Sequence, residues 1–102
     1  MSTPEPVKYA VYIPHEKKYL AVQQYIDNHR LVSTMKMADT TSLLLDDTEI
    51  ELLKHEMTEG HYVGTYNQIV NTMIAVLNAL YIEFDELEFR KAKLENQQLV
   101  LI

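Results

Sequence analysis

The sequence predicts an α+β fold: a three-stranded antiparallel sheet, a short capped helix and a long C-terminal helix, in the order β-β-β-α-(β)-α. Three observations support this prediction. Apolar residues alternate along residues 7–37, capping signals surround residues 46–51, and neither glycine nor proline occurs after Gly64. Because a chain of 102 residues is long enough to bury a core of its own, we interpret residues 1–102 as a single domain.

The first part of the domain contains segments with the alternation of half-buried strands. These are residues 7–13, 18–26 and 31–37, and they are separated by short turn-like segments. Short turns between consecutive strands favour an antiparallel meander, one face of which needs a covering layer. Residues 1–6, which include two prolines, are expected to form a flexible leader. The predicted core-facing residues are Val7, Tyr9, Val11, Ile13, Leu20, Val22 and Ile26.

A short helix is predicted to begin at Asp46. Asp46 and Glu49 have the spacing of a capping box, as do Thr48 and Glu51, and acidic residues in the first turn suit the helix dipole. The helix is expected to end before Gly60, and residues 61–63 are expected to add at most a short edge strand, so residues 7–63 form the sheet and the short helix. The inward-facing residues of the helix are Ile50, Leu53 and Met57.

The long C-terminal helix is predicted to span residues 65–97 and to begin at a capping box formed by Thr65 and Gln68. At ~1.5 Å per residue it would be about 48 Å long, which exceeds the ~35 Å diameter expected for a compact domain of this size. Apolar residues recur along it at the spacing of a coiled-coil seam. The alternative is a monomer in which the same apolar side covers the sheet. The residues assigned to a homodimer interface are Val70, Met73, Leu77, Leu80 and Phe84.

The charge balance of the chain constrains its partners and its compartment. A formal net charge of −6 disfavours direct binding to nucleic acid or to an anionic membrane, and favours a partner protein with a basic surface. Because the chain has no cysteine, disulfides and thiolate-bound zinc are excluded, which fits a reducing cytoplasm. The chain also lacks a signal-peptide pattern and a stretch apolar enough to cross a membrane. We therefore expect a cytoplasmic protein.

The sequence contains no motif that predicts catalysis, a cofactor or a metal. Residues 55–61 are similar to the H-E-x-x-H helix of zinc proteases, but Glu59 stands where the second histidine is required. Two glycines are too few for a phosphate-binding loop, and there is no G-x-S-x-G motif for a serine nucleophile. We therefore predict a non-enzymatic protein.

Two clusters of acidic residues are the candidate partner-binding sites. They would complement a basic groove that normally holds nucleic acid; the alternative is that they are helix caps and solvated charges. Tyr12 and Tyr19, expected on the outer face of the first hairpin, form either an aromatic contact surface or ordinary cross-strand packing. The acidic candidates are Asp46, Asp47, Glu49, Glu51, Glu83, Asp85, Glu86 and Glu88.

The segment Lys8-Tyr9-Ala10-Val11-Tyr12-Ile13-Pro14, followed by Lys18-Tyr19-Leu20, resembles the hairpin of small phage and prophage accessory proteins of Gram-positive bacteria. In those proteins a strand and a capped acidic helix often follow, as residues 37–51 do here. The resemblance covers residues 7–57 and excludes the long helix. It implies a viral accessory protein and transfers no catalytic residue.

Two functions fit these observations. The first is a small acidic binding protein, a phage-type inhibitor that blocks the basic, nucleic-acid-binding surface of a host factor such as a CRISPR nuclease. It would then act in the cytoplasm of the host cell. The second is a structural or assembly module that oligomerises through the long C-terminal helix.

Overall fold

The computed structural model describes residues 7–59 and 68–102. The predicted leader, Gly60 and the edge strand predicted at residues 61–63 lie outside these residues. The helices are α1 (Asp47–Thr58) and α2 (Gln68–Ala79), and a short 3₁₀ helix follows at Phe84–Glu86. The strands are β1 (Tyr9–Ile13), β2 (Lys18–Asp27), β3 (Arg30–Ala38), β4 (Leu44–Leu45), β5 (Glu88–Glu95) and β6 (Gln98–Leu101).

All the strand pairs that the structure describes are antiparallel, and β1 lies at the centre of the sheet. The strand order is β3-β2-β1-β5-β6, and β4 also pairs with β1. The end of β1 pairs with β2 at Tyr12–Tyr19, and its beginning pairs with β4 at Tyr9–Leu45. Its other edge pairs with β5 from Tyr9 to Tyr12. One edge of β1 is therefore shared by its hairpin partner β2 and by β4, and the other edge is occupied by β5, which comes from the far end of the chain.

The prediction of a three-stranded sheet with one long C-terminal helix is wrong. Residues 68–102 instead form α2, the 3₁₀ helix and the hairpin of β5 and β6, so the described sheet has six strands. A helix of about 48 Å would also exceed the longest dimension of the molecule, 41 Å. The coiled coil predicted along this segment is wrong for the same reason.

A Schellman motif ends α2 at a point where the sequence carries no glycine or proline. The N–H of Ile82 donates to the carbonyl of Leu77 at 2.9 Å, and the N–H of Tyr81 donates to Asn78 at 3.2 Å. This motif needs a left-handed residue, usually glycine, and here Tyr81 adopts it with φ 58°. Leu77 and Ile82 are both buried in the main core, which supplies the apolar contact that accompanies the motif. Burial of Ile82 therefore offsets the backbone strain at Tyr81.

The charged residues 88–95 form a strand although their spacing favours a helix. In a helix, Glu86 would pair with Arg90 and Lys91 with Glu95 at the i,i+4 spacing. The observed ion pairs instead join Arg90 to Glu88 at 3.0 Å and Lys93 to Glu95 at 2.9 Å, both at the i,i+2 spacing of one strand face. Since β1 is buried, its backbone groups on this edge need partners, and β5 provides them. Tertiary pairing thus overrides the local helix propensity.

Two hairpins are closed by two-residue turns with the left-handed backbone of type I′. The β2–β3 turn has positive φ at Asn28 and His29, and the β5–β6 turn has positive φ at Asn96 and Gln97. The first of these turns confirms a sequence prediction. The second turn lies inside the predicted long helix, although Asn96 occupies the same position as Asn28, because the lack of glycine and proline after Gly64 favours a continuous helix.

The main core lies between the sheet and the two helices. It is formed by Val11, Ile13 and Leu20 from the sheet and by residues such as Leu53 and Met73 from the helices. Three predicted core residues are exposed instead: Val7 is 46% exposed, Val22 38% and Ile26 77%. Val22 lines an open groove between the β2–β3 hairpin and the first turns of α2, and Ile26 follows on the same strand face, in the half of β2 that is exposed.

The start of α1 confirms the predicted capping box. The side chain of Asp46 accepts from the N–H of Glu49 at 2.8 Å, and Glu49 accepts from the N–H of Asp46 at 3.1 Å. Leu53 is buried, and Ile50 and Met57 pack against the same core, as predicted. The alternative box at Thr48 and Glu51 is not the one that caps the helix.

Ser42 holds the point at which β1 leaves β2 and joins β4. Its hydroxyl oxygen accepts from the N–H of Val11 at 3.1 Å and donates to the carbonyl of Leu43 at 2.7 Å. The N–H of Leu43 in turn donates to the carbonyl of Leu20 at 2.9 Å. Ser42 is 3% exposed. Its side chain therefore replaces a ladder hydrogen bond that neither neighbouring strand supplies.

We expect Tyr81→Gly to raise the free energy of unfolding by about 0.5–1 kcal/mol, because glycine adopts the left-handed backbone without steric cost. Tyr81→Ala is the matched control, since it removes the same exposed ring but keeps the strain. Urea unfolding of the three proteins checks the expectation. Equal stability of the glycine and alanine variants would contradict it.

We expect Ser42→Ala to lower the free energy of unfolding by about 1–3 kcal/mol, because the N–H of Val11 loses its acceptor inside the protein. Ser33→Ala is the control, since Ser33 is exposed and its bond to Gln24 is long, at 3.4 Å. Thermal and urea unfolding measure both. A control variant as unstable as Ser42→Ala would show that the effect is not specific to the strand junction.

Candidate functional site

The first acidic cluster lies at the start of α1, and half of it serves the helix itself. Asp46 and Glu49 form the capping box, so their carboxylates are already engaged by backbone N–H groups. Asp47 and Glu51 are exposed on the first turns of the helix. Asp46 and Glu49 therefore act as a helix cap, which is the alternative role given above for the acidic residues. Asp47 and Glu51 are the members of the cluster that face solvent.

The second acidic cluster surrounds the 3₁₀ helix. Glu86 accepts from the backbone N–H of Glu83 at 2.7 Å, and Glu88 forms an ion pair with Arg90 at 3.0 Å. The four side chains of the cluster, Glu83, Asp85, Glu86 and Glu88, are all exposed. Because a carboxylate has about four acceptor positions, one internal hydrogen bond leaves Glu86 and Glu88 able to accept further donors.

The two clusters lie at opposite ends of α1 and do not form one site. The last turn of α1, at Met57 and Thr58, shares a small groove with Glu83 and Asp85. The first cluster is at the other end of the helix, roughly 18 Å away for a helix of this length. A single partner that contacts both clusters must therefore present two basic regions about that far apart.

An open groove concentrates the second cluster on one surface. It separates the 3₁₀ helix from the turn that follows β1 and has a volume of about 610 Å³. Asp85, Glu86 and Glu88 line one side, and Pro14 and His15 line the other. A groove of this volume can accept a lysine or arginine side chain between the carboxylates and the turn.

Arg90 joins the two tyrosines predicted on the outer face of the sheet. Its guanidinium carbon lies 3.8 Å from the centre of the Tyr12 ring, and its Nη1 donates to the Tyr19 hydroxyl at 3.1 Å. The ring centres of Tyr12 and Tyr19 are 5.0 Å apart. Hydrogen bonds to Glu88 and Tyr19 raise the pKa of Arg90, which therefore remains a cation.

This arrangement favours cross-strand packing as the role of the two tyrosines. Tyr19 is 9% exposed, and one face of the Tyr12 ring is covered by Arg90. Arg90 is not among the site residues predicted from the sequence. The predicted long helix includes it, and in a helix Arg90 would pair with a residue four positions away. The signal that could have revealed it is Glu88-Phe89-Arg90, where an i,i+2 charge pair flanks an apolar residue.

The predicted homodimer residues are largely part of the protein's own core. Val70, Met73 and Leu77 are fully buried, and Phe84 is half-buried against the same core. Leu80 differs, with 48% of its surface exposed. These residues therefore do not form an exposed apolar seam along a long helix. Assembly through such a helix is no longer a candidate function.

The histidine-containing segment near the end of α1 has no metal-site geometry in the part that the structure describes. His55 is exposed, Glu56 is buried and Glu59 is the C-terminal cap residue; His61 lies outside the described residues. No group of three potential ligands that could hold a metal ion occurs among residues 7–59 and 68–102.

Neither of the helices described is long and apolar enough to cross a membrane.

No protein-family model, curated protein or solved structure matches this chain.

We expect Arg90→Lys to lower the free energy of unfolding by about 1 kcal/mol, because an ammonium cannot stack on Tyr12 and also bond both Glu88 and Tyr19. Lys93→Gln is the control on the same strand, where the ion pair is about half-exposed and contributes little. Urea unfolding compares the two. If the Arg90→Lys variant is as stable as the control, the contacts of Arg90 with Tyr12, Tyr19 and Glu88 do not stabilise the fold as expected.

Proposed function

We propose that this chain is a non-enzymatic binding protein whose acidic groove receives cationic side chains of a partner protein. The observation that carries the proposal is the placement of three exposed carboxylates, those of Asp85, Glu86 and Glu88, along one side of an open groove. Lysine and arginine are the side chains that such a surface complements.

The overall charge supports the same partner class. A net charge of −6 attracts a basic surface before contact and accelerates association at low salt. The attraction falls with ionic strength, since the Debye length is about 8 Å at physiological salt. Asp47 and Glu51 add negative charge at the other end of α1, where they would extend the contact to a partner with a long basic surface.

The biological role that we propose is inhibition of a host factor. A protein that covers a basic surface with carboxylates competes with nucleic acid phosphates for the same lysines and arginines. The resemblance of residues 7–57 to phage accessory proteins supports an inhibitor of this kind, with a nucleic-acid-binding enzyme such as a CRISPR nuclease as the target. The site of action would be the host cytoplasm.

Titration of the ¹⁵N-labelled protein with a nona-arginine peptide tests the proposed groove. We expect the largest amide shift changes around Asp85, Glu86 and His15, and binding that weakens as salt is raised. Asp85→Lys should weaken binding by about tenfold, because one attraction is replaced by one repulsion. Asp85 is the residue of choice because Glu86 and Glu88 also have internal hydrogen bonds.

Glu51→Lys is the matched control, since it makes the same charge change at the other end of α1. We expect it to weaken peptide binding by less than about threefold, through the net charge alone. Equal losses for the two variants would contradict a specific groove. Shift changes centred on residues 47–51 would place the binding surface at the first cluster instead.

A further inference from the structure

Helix α2 contributes no charged side chain to the surface. No aspartate, glutamate, lysine or arginine occurs between Glu59 and Glu83, although 24% of the chain is charged. The structure places α2 in this interval, and the solvent-facing positions of the helix are uncharged residues such as Ile69, Ala75 and Ala79. Depletion of charge is the compositional property that distinguishes the centre of a protein interface from the remaining surface.

An apolar groove lies beside this uncharged helix face. It has a volume of about 310 Å³ and runs between the second half of α2 and the edge strand β3. Unlike the groove at the 3₁₀ helix, it has no carboxylate in its lining. The lining residues are Leu20, Met35, Lys36, Met37, Val76, Ala79 and Leu80.

Two large apolar side chains project next to the groove. Leu80 lines it and is 48% exposed, and Tyr81 is 92% exposed. The Schellman motif fixes the backbone of Tyr81, so the ring is displayed from a defined position rather than from a loose loop. Tyrosine and methionine are both enriched at protein interfaces. A projecting ring therefore directly follows, in the chain, a residue that lines the groove.

We propose that this surface is a homodimer interface in which Tyr81 of each copy enters the α2–β3 groove of the other copy. A two-fold axis near Leu80 brings both projections opposite both grooves, as an isologous contact requires. Charge selects a second copy as the occupant. Copies with a net charge of −6 repel one another, but α2 adds no charge to this contact. Lys36, which lines the groove, can face Glu83 of the other copy, which follows Tyr81 by two residues.

The groove alone is too small to hold a dimer together. Specific interfaces bury on the order of 1,200 Å² or more in total, so the contact must continue along the outward side of α2. The uncharged residues of that side allow this continuation without desolvating a charge. The dimer uses Leu80 but none of the buried seam residues, and it does not depend on the acidic groove.

Sedimentation equilibrium between about 1 and 500 µM tests the dimer, because the population of a dimer rises with concentration. We expect the mass to approach twice the 11.9 kDa of the chain. Tyr81→Gly should raise the dissociation constant by about tenfold or more while the fold becomes more stable, since an aromatic anchor is lost. Loss of association therefore cannot be attributed to unfolding.

Leu101→Gln is the matched control, because Leu101 is 50% exposed on β6, at the opposite edge of the sheet from β3. It should leave the dissociation constant unchanged. A wild-type protein that remains monomeric over the whole range overturns the proposal. So does a dimer that Leu101→Gln disrupts and Tyr81→Gly does not.

A charge exchange tests the orientation of the two copies. Lys36→Glu and Glu83→Lys should each weaken the dimer, and the double variant should recover most of the loss, as coupled neighbours do. If the losses of dimer affinity in the two single variants simply add in the double variant, the proposed two-fold arrangement of the copies is overturned. The wild-type dimer should persist at about 0.5 M salt, where the repulsion between like net charges is screened, whereas binding of the arginine peptide should fall. The two proposals can thus fail independently.

Discussion

The architecture depends on the buried hydroxyl of Ser42. At this point β1 ends its pairing with β2 and begins its pairing with β4, and such a change leaves a backbone N–H inside the protein without a ladder partner. The hydroxyl accepts a hydrogen bond from the N–H of Val11 and donates one to the carbonyl of Leu43. Because an unpaired buried donor destabilises a fold by a large fraction of its total stability, this one side chain allows β1 to have three strand neighbours. The short β4 then leads directly into the cap of α1.

The central position of β1 explains why residues 88–101 form a hairpin and do not continue a helix. One edge of β1 is used by β2 and β4, and the other would be open if residues 88–95 were helical. Pairing with β5 closes that edge, and the Arg90 cluster with Tyr12 and Tyr19 then ties β5 to the first hairpin across the outer face of the sheet. A few tenths of a kcal/mol from i,i+4 pairs in a helix cannot compete with the burial of a whole strand edge.

The path of the C-terminal segment also produces two surfaces that differ in charge. The end of α2 at Tyr81 turns the chain back towards the sheet, so the neutral face of α2 and the acidic 3₁₀ helix come to lie within a few residues of each other. The neutral face is suited to a like-charged copy of the chain, and the acidic groove is suited to a basic partner. A dimer through the first surface would present two acidic grooves to one partner, which raises apparent affinity when both can be engaged.

The sequence by itself determined the first three strands and the capping box of α1, because each depends on residues close together in the chain, and its composition determined the net negative charge. Asp46 and Glu49 cap the helix through bonds between residues three apart, and Asn28 and His29 close the β2–β3 turn locally. Only the tertiary structure decided that α2 ends at Tyr81, since tyrosine accepts a left-handed backbone there only while Ile82 is buried against Leu77. It also decided that Arg90 pairs with Glu88 in a strand, since the open edge of β1 lies far away in sequence. The acidic groove follows from both: its carboxylates were visible in the sequence, but their position opposite Pro14 and His15 was not.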